Sequence, residues 1–403
     1  MSIERKPNPI MKNILIQPIK WFLNKRSSIH VERNDTIGLK PPYLVVSNHV
    51  NNWDPLILNS YVKEPMCFIA GEPLFRNPLL RRILDYTGAI RKTKFYNDTK
   101  TIRSVIKAKQ HGRVICIFPE GNRNWDGQTE PLTYSTSKLI KKLQIPVVTA
   151  TIKGGHLSHP RWAEHHRKGQ IDIEYKQLWD ADDIRKNSVE SIHKGISKAL
   201  NHDEAKWQAS KQYSYKGNNL AEYLERLLFM CPSCHSIGHL TSDRHQFICE
   251  QCRYTEKYTE YGTFSPATHF RTPAEWNAWQ QSHVYNAMIE EKRQKVINDL
   301  SDHVDLYVSH KRDPFQHIHR GSLHYHEGNL VFTYQNNKLK FPIDKVEGLN
   351  VHFHHKLDFL MDDTFYRFQF FNPRTSAFKW LTVLNALQQT NDLPNILTEV
   401  ESK

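Results

Sequence analysis

The sequence predicts an α/β layer with a mostly parallel sheet, then a cysteine-stapled module, then a small β-rich domain closed by a C-terminal helix. Three observations carry this. From about residue 40 to 200, short apolar runs rich in β-branched residues alternate with stretches of helical spacing. Two C-x-x-C pairs follow between 231 and 252. From about 303 to 371, apolar and polar residues alternate between Glu-Gly-Asn and Asn-Asn turns, and a helical stretch, "SAFKWLTVLNALQQ", comes after.

Residues 1–39 interleave Ile14, Leu15, Ile16, Ile19, Trp21, Phe22 and Leu23 with Lys12, Lys20, Lys25 and Arg26. This pattern suits a segment lying in a membrane interface, and equally an amphipathic helix packed on its own domain. In 40–200, "YLVVS" (43–47), "RVICIF" (113–118) and "PVVTATI" (146–152) read as buried strands. "DPLILNSYV", "NPLLRRILDYTG", "NDTKTIRSVIKAKQHG" and "STSKLIKKLQI" read as the helices between them. Residues 201–230 form a linker that turns helical through "LAEYLERLLFM". Residues 231–258 hold the cysteines. A connecting helix spans 272–300, with Thr272 as N-cap, Pro273 at the first helical position and Glu275 completing a capping box. The β-rich domain occupies 303–392.

The formal net charge of +13 favours an anionic partner such as a membrane surface, nucleic acid or an acidic carrier protein. Hydrophobic residues, at 39%, suffice for packed cores and exclude wholesale disorder. No apolar run is long enough to span a bilayer. The first 35 residues lack the long apolar centre and small-residue cleavage site of an export signal, so a reducing cytosol is expected.

The chemistry concentrates at two strand ends. His49 follows strand 43–47 in "VVSNHVNNWDP", at the carboxyl edge of the sheet where open α/β folds bind ligands. Asp54-Pro55 reads as N-cap and first helical residue. If His49 folds back over that helix start, a neutral imidazole can take a proton from a hydroxyl while the carboxylate fixes its tautomer. Otherwise Asp54 caps the helix and His49 is incidental. The second end is "VICIFPEGNRNWDG", which sets Glu120, Gly121 and Arg123 after strand 113–118. Arg123 can grip a phosphate with two parallel hydrogen bonds, and Gly121 permits a backbone conformation closed to other residues. The plainer reading is a surface turn with a salt bridge.

"NHVNNWDP" and "FPEGNR" resemble the first and third motifs of the glycerolipid acyltransferases, the family that includes lysophosphatidate acyltransferases. "GEPLFRNPLLRRILDYTGAIRKTK" is similar to the second motif and "IPVVTATIKGG" to the fourth, so the resemblance covers about residues 40–200. It implies His49 as general base, Asp54 as its orienting carboxylate, Glu120 and Gly121 as shaping the acceptor site, and Arg123 as the phosphate ligand. The hydroxyl of a lysophospholipid, above all 1-acylglycerol 3-phosphate, would attack a thioester of acyl carrier protein or coenzyme A directly. Three departures fall on the acceptor side. Asn122 and Asn124 flank Arg123, Lys94 stands where an arginine is common, and "LTYSTSK" replaces the family's Phe-Lys-x-Gly stretch.

Cys231, Cys234, Cys249 and Cys252, spaced C-x2-C-x14-C-x2-C, predict a zinc ribbon. Four thiolates leave no open coordination position, so the zinc is expected to be structural. The i, i+2 pairs His317/His319, His324/His326 and His352/His354 read as a solvated sheet face. The final strands and helix resemble a pleckstrin-homology-like domain. Together these readings point to a peripheral or monotopic enzyme on the cytoplasmic face of an anionic membrane, with nucleic acid not expected as a partner. The contrasting readings are an acyltransferase for a different hydroxyl acceptor, a glycolipid or another lysolipid, and a zinc-dependent binding module on an inactive acyltransferase scaffold.

Overall fold

The computed structural model describes the chain apart from residues 1–2, 5–8, 72–73, 76–77, 93–98, 290–295, 297–299, 311–312 and 402–403, and apart from the side chains of 9–13, 15, 79–80 and 391–401. The chain divides into two units. Residues 1–161 and 165–217 form the first; 162–164 and 218–403 form the second.

The first unit is built on a seven-stranded sheet in the order β1-β7-β6-β2-β5-β3-β4. Its strands are β1 (Ser28–Asn34), β2 (Leu44–Ser47), β3 (Met66–Gly71), β4 (Ile90–Lys92), β5 (Val114–Ile117), β6 (Val147–Lys153) and β7 (Gln170–Trp179). All neighbours run parallel except β6 and β7. β2, β5 and the first half of β6 read as unbroken apolar runs because both faces are covered. On one face Val45, Cys116 and Val148 pack with Ile57 and Leu58 of α2 (Asp54–Ser60) and Leu23 of α1 (Pro9–Arg26). On the other, Leu44, Val46, Ile115 and Val147 pack with Val105 and Ala108 of α3 (Thr99–Gln110) and Ile140 and Leu143 of α4 (Tyr134–Leu143). Val46 lies opposite Ile117 and Thr149, so β2 and β5 end side by side and deliver their following loops to one place.

The boundaries drawn from sequence shift in three places. Residues 28–34 are not part of a separate N-terminal segment but the edge strand β1, parallel to β7. Helix Pro9–Arg26 leaves Ile14 59% and Trp21 67% exposed while burying Ile16 and Leu23. Residues 201–217 belong to the first unit, and Glu204–Lys211 there is a helix capped by Asp203. Finally, "LAEYLERLLFM" is a 3-10 turn at Leu224–Arg226, not an α-helix. Tyr223 adopts φ 70° and gives its N–H to Ser242 Oγ, and Ala221 gives its N–H to Arg244 O. That backbone is therefore committed to a neighbouring hairpin instead of to a helical ladder.

The second unit holds a four-stranded antiparallel sheet formed by Leu240–Asp243, Gln246–Cys249, Thr255–Tyr258 and Phe264–Ser265. A seven-stranded antiparallel sheet then runs from Ser301 to Phe370, and helix Ala377–Glu401 follows. The connecting helix is described over Pro273–Ile289. Thr272 Oγ1 accepts from Glu275 N as a cap should, whereas Glu275 reaches back to Arg271 N and not to Thr272 N.

Candidate active site

The loop after β2 carries the predicted pair and brings it together. His49 Nδ1 lies 2.7 Å from Asp54 Oδ2. The same oxygen accepts the Val50 and Asn51 N–H groups at 2.7 and 3.0 Å. Asp54 is therefore the first helical residue and not the N-cap, which is Trp53. Its carboxylate folds the preceding loop into a tight turn and receives the imidazole in the same act. A carboxylate offers only acceptors, so Nδ1 carries a proton and Nε2 is left with its lone pair. Asp54 is fully buried, while the His49 side chain keeps 22% of its surface exposed. Phe118 stacks on the His49 ring at 4.2 Å between centroids, and Phe68 lies beyond it at 6.2 Å. Phe118 belongs to the F-P-E-G stretch, yet nothing in its spacing announced this contact.

The loop after β5 is stitched to the first. Glu120 Oε1 accepts the His49 N–H at 2.7 Å and Oε2 accepts the Glu130 N–H at 3.0 Å, while Asn124 N donates to His49 O. Both Glu120 oxygens thus serve the main chain and shape the site through it. Burial pushes this carboxyl up to about 8 against the pull of those two N–H groups. Gly121 has φ 77°, and a Cβ there would meet no atom within 4 Å, so conformation and not space demands glycine. Arg123 makes no hydrogen bond or ion pair through its guanidinium among the described residues. Burial pulls it down to about 10, and the charge of Asp54 opposes that pull. Lys94 lies outside the described residues.

Two asparagines and a distant glutamate complete the frame. Asn48 pairs its side-chain amide with both main-chain groups of Ile152, and Asn51 Nδ2 donates to Gly155 O. A Cβ on Gly155 would stand 2.6 Å from Val50 Cγ2, so glycine lets this turn close on the loop after β2. Glu204 accepts from Gly154 N, Leu157 N and His202 Nε2. Glu204 was read as linker, and only its position after an aspartate N-cap could have hinted at order.

Glu120 gives a testable pH dependence. Its folded value lies above the ordinary 4.5, so the native state holds a proton that the unfolded chain releases between about 4.5 and 8. Stability of the first unit should therefore fall as pH rises through that window. Glu120→Gln cannot ionise and should flatten the fall, at a constant cost of about 1–3 kcal/mol for one main-chain N–H left unpaired. Urea unfolding of both proteins at pH 5, 6.5 and 8 checks it; parallel pH profiles would contradict it.

In the second unit the four cysteine sulfurs lie within 4.8 Å of one another. Cys231 to Cys252 and Cys234 to Cys249 are each 3.7 Å apart. Disulfides need about 2.05 Å. A tetrahedral zinc with bonds of about 2.3 Å spaces its sulfurs by about 3.8 Å, so the thiols fit that ion. No helix among the described residues is long and apolar enough to cross a membrane.

Known proteins bear on this arrangement of loops. Residues 28–153 match the family model described as Acyltransferase. The stretch contains both loops of the candidate site. Among curated proteins, the chain is 29% identical over 150 residues to a 1-acyl-sn-glycerol-3-phosphate acyltransferase of Borreliella burgdorferi, covering 36% of this chain and 57% of that protein. It is 26% identical over 175 residues to a probable 1-acyl-sn-glycerol-3-phosphate acyltransferase of Mycoplasma genitalium, covering 40% and 63% respectively. The chain thus spans little more than half the length of these relatives. The crystal structure of the 1-acyl-sn-glycerophosphate (LPA) acyltransferase PlsC from Thermotoga maritima is similar to 50% of this chain and covers 81% of its own, with 21% identity and a TM-score of 0.42.

Proposed function

We propose that the protein transfers a fatty acyl group from an acyl thioester to the free hydroxyl of a lysophospholipid, with 1-acylglycerol 3-phosphate as the acceptor that fits best. The observation that carries this is the His49–Asp54 pair, with Nδ1 held at 2.7 Å and Nε2 left as the base. In the proposed reaction Nε2 takes the hydroxyl proton as the oxygen attacks the thioester carbonyl. Asp54 stabilises the imidazolium. The tetrahedral intermediate collapses, the thiolate leaves and the imidazolium returns the proton to it. No acyl-enzyme forms. Arg123, whose guanidinium has no hydrogen-bond or ion-pair partner among the described residues, receives the acceptor phosphate, and the names of the relatives support that acceptor.

Acyl carrier protein or coenzyme A supplies the thioester. Trp21 and Ile14, exposed on a helix that also carries Lys20, Lys25 and Arg26, support attachment to an anionic membrane surface at its cytoplasmic face. Cys231, Cys234, Cys249 and Cys252 hold a structural zinc, which supplies folding energy and no reaction step. Seven antiparallel strands and a terminal helix support the pleckstrin-homology-like reading of the β-rich domain as an accessory module.

The test is transfer of labelled acyl groups from both thioesters to a panel of lysolipids. Transfer to lysophosphatidate is the expected result. Transfer only to another lysolipid would move the acceptor assignment, and no transfer by folded, membrane-bound protein would overturn the reading.

A further inference from the structure

We infer that Arg161 is a positioning residue for acceptor binding: it fixes the main chain of Arg123 and so presets the guanidinium that receives the phosphate. This rests on the acceptor role proposed for Arg123. Arg161 lies beyond residues 28–153 and outside every motif read from the sequence. Its side chain is buried, and Nη1 donates to Arg123 O at 2.7 Å. The guanidinium lies over the buried Trp125 ring at 4.1 Å. This hydrogen bond and this cation–π contact both engage the Arg123–Trp125 segment.

A guanidinium suits this task because its donors are rigid and coplanar, so the group that stacks also aims the N–H. A lysine keeps the charge but cannot do both. Asn124, in the same segment, donates its N–H to His49 O in the loop after β2. Glu130 lies within the electrostatic reach of Arg161, and the Glu130 N–H is held by Glu120, which holds the His49 N–H. The charge of Arg123 also acts on Arg161.

The experiment is calorimetric binding of short-chain lysophosphatidate to the wild type, Arg161→Ala, Arg161→Lys, Arg123→Ala and the double variant, with acyl-transfer kinetics on the same proteins. Arg161→Ala should weaken binding about tenfold, with KM rising as far and kcat moving less than about threefold. Arg161→Lys should recover only part of this. The double variant should bind no worse than Arg123→Ala, because Arg161 acts through Arg123. Binding by Arg161→Ala within twofold of the wild type, losses that multiply, or a fall in kcat matching the rise in KM would overturn the inference. So would a wild type that binds no phosphomonoester. If Arg161→Ala does not fold, Trp125→Leu replaces it, with the same direction expected. A wild type that binds lysophosphatidate through these residues yet transfers no acyl group would sink the transferase reading alone. Normal transfer with an unaffected Arg161→Ala would sink this inference alone.

Discussion

Replacing His49 by alanine should lower acyl transfer by about 10²–10⁴-fold and leave the fold intact. The side chain is partly exposed, and its loss forfeits one stack on Phe118, worth about 0.5–1.5 kcal/mol. The loop around it does not depend on the imidazole. Glu120 holds the main-chain N–H of residue 49, and Asp54 still accepts from Val50 and Asn51. Loss of activity can therefore be separated from loss of structure. Asp54→Asn should cost rate and stability together: an amide oxygen can accept from the same three donors, but it lacks the charge that stabilises the imidazolium and leaves a buried NH₂ without an acceptor where Oδ1 stands. Single-turnover transfer and thermal melting on the same samples check both variants. His49→Ala retaining more than about a tenth of wild-type activity would remove it from the base role.

What the sequence disclosed follows from what was buried on both sides. Strands β2, β5 and β6 were legible because covered faces force continuous β-branched runs. β1 was not: "SIHVERN" lies at a sheet edge, only partly buried, and shows no apolar run to mark it. "LAEYLERLLFM" carries helical leucine spacing, but Tyr223 at φ 70° and the hydrogen bond to Ser242, far along the chain, override local preference. The site divides in the same way. His49 and Asp54 stand five residues apart and Glu120 to Arg123 are nearly contiguous, so local spacing could carry them. Arg161, Glu204 and Asn48 act through hydrogen bonds to residues 38 to 104 positions away. No local pattern encodes such a contact. Glu120 is a third case: its motif is legible, but its oxygens engage main-chain groups 71 and 10 residues away, which no local spacing marks.

The largest effect on stability is expected at the cysteine cluster. Purified protein should carry one zinc per chain, and Cys249→Ala should carry little or none. The energetic argument starts from size. The stretch 231–258 is too short to bury a sufficient core, and its Phe247 and Tyr258 pack with residues beyond it, Phe264 and Trp276 of the connecting helix. A structural zinc contributes about 10–16 kcal/mol of apparent binding energy at neutral pH, more than the whole stability of many domains. Removing one ligand leaves an open tetrahedron, with Cys231 buried and its neighbour sulfur at 3.7 Å, and nothing to offset the cost of gathering the thiols. Chelation should therefore lower the melting temperature of the second unit by more than about 10 °C and loosen the Trp276 cluster, read as lost near-ultraviolet dichroism. Metal analysis, thiol titration and melting decide the matter together. A folded chain without metal, or one whose four thiols are found as disulfides, would contradict the zinc assignment, since the 3.7 Å separations fit a shared ion and not a covalent bond.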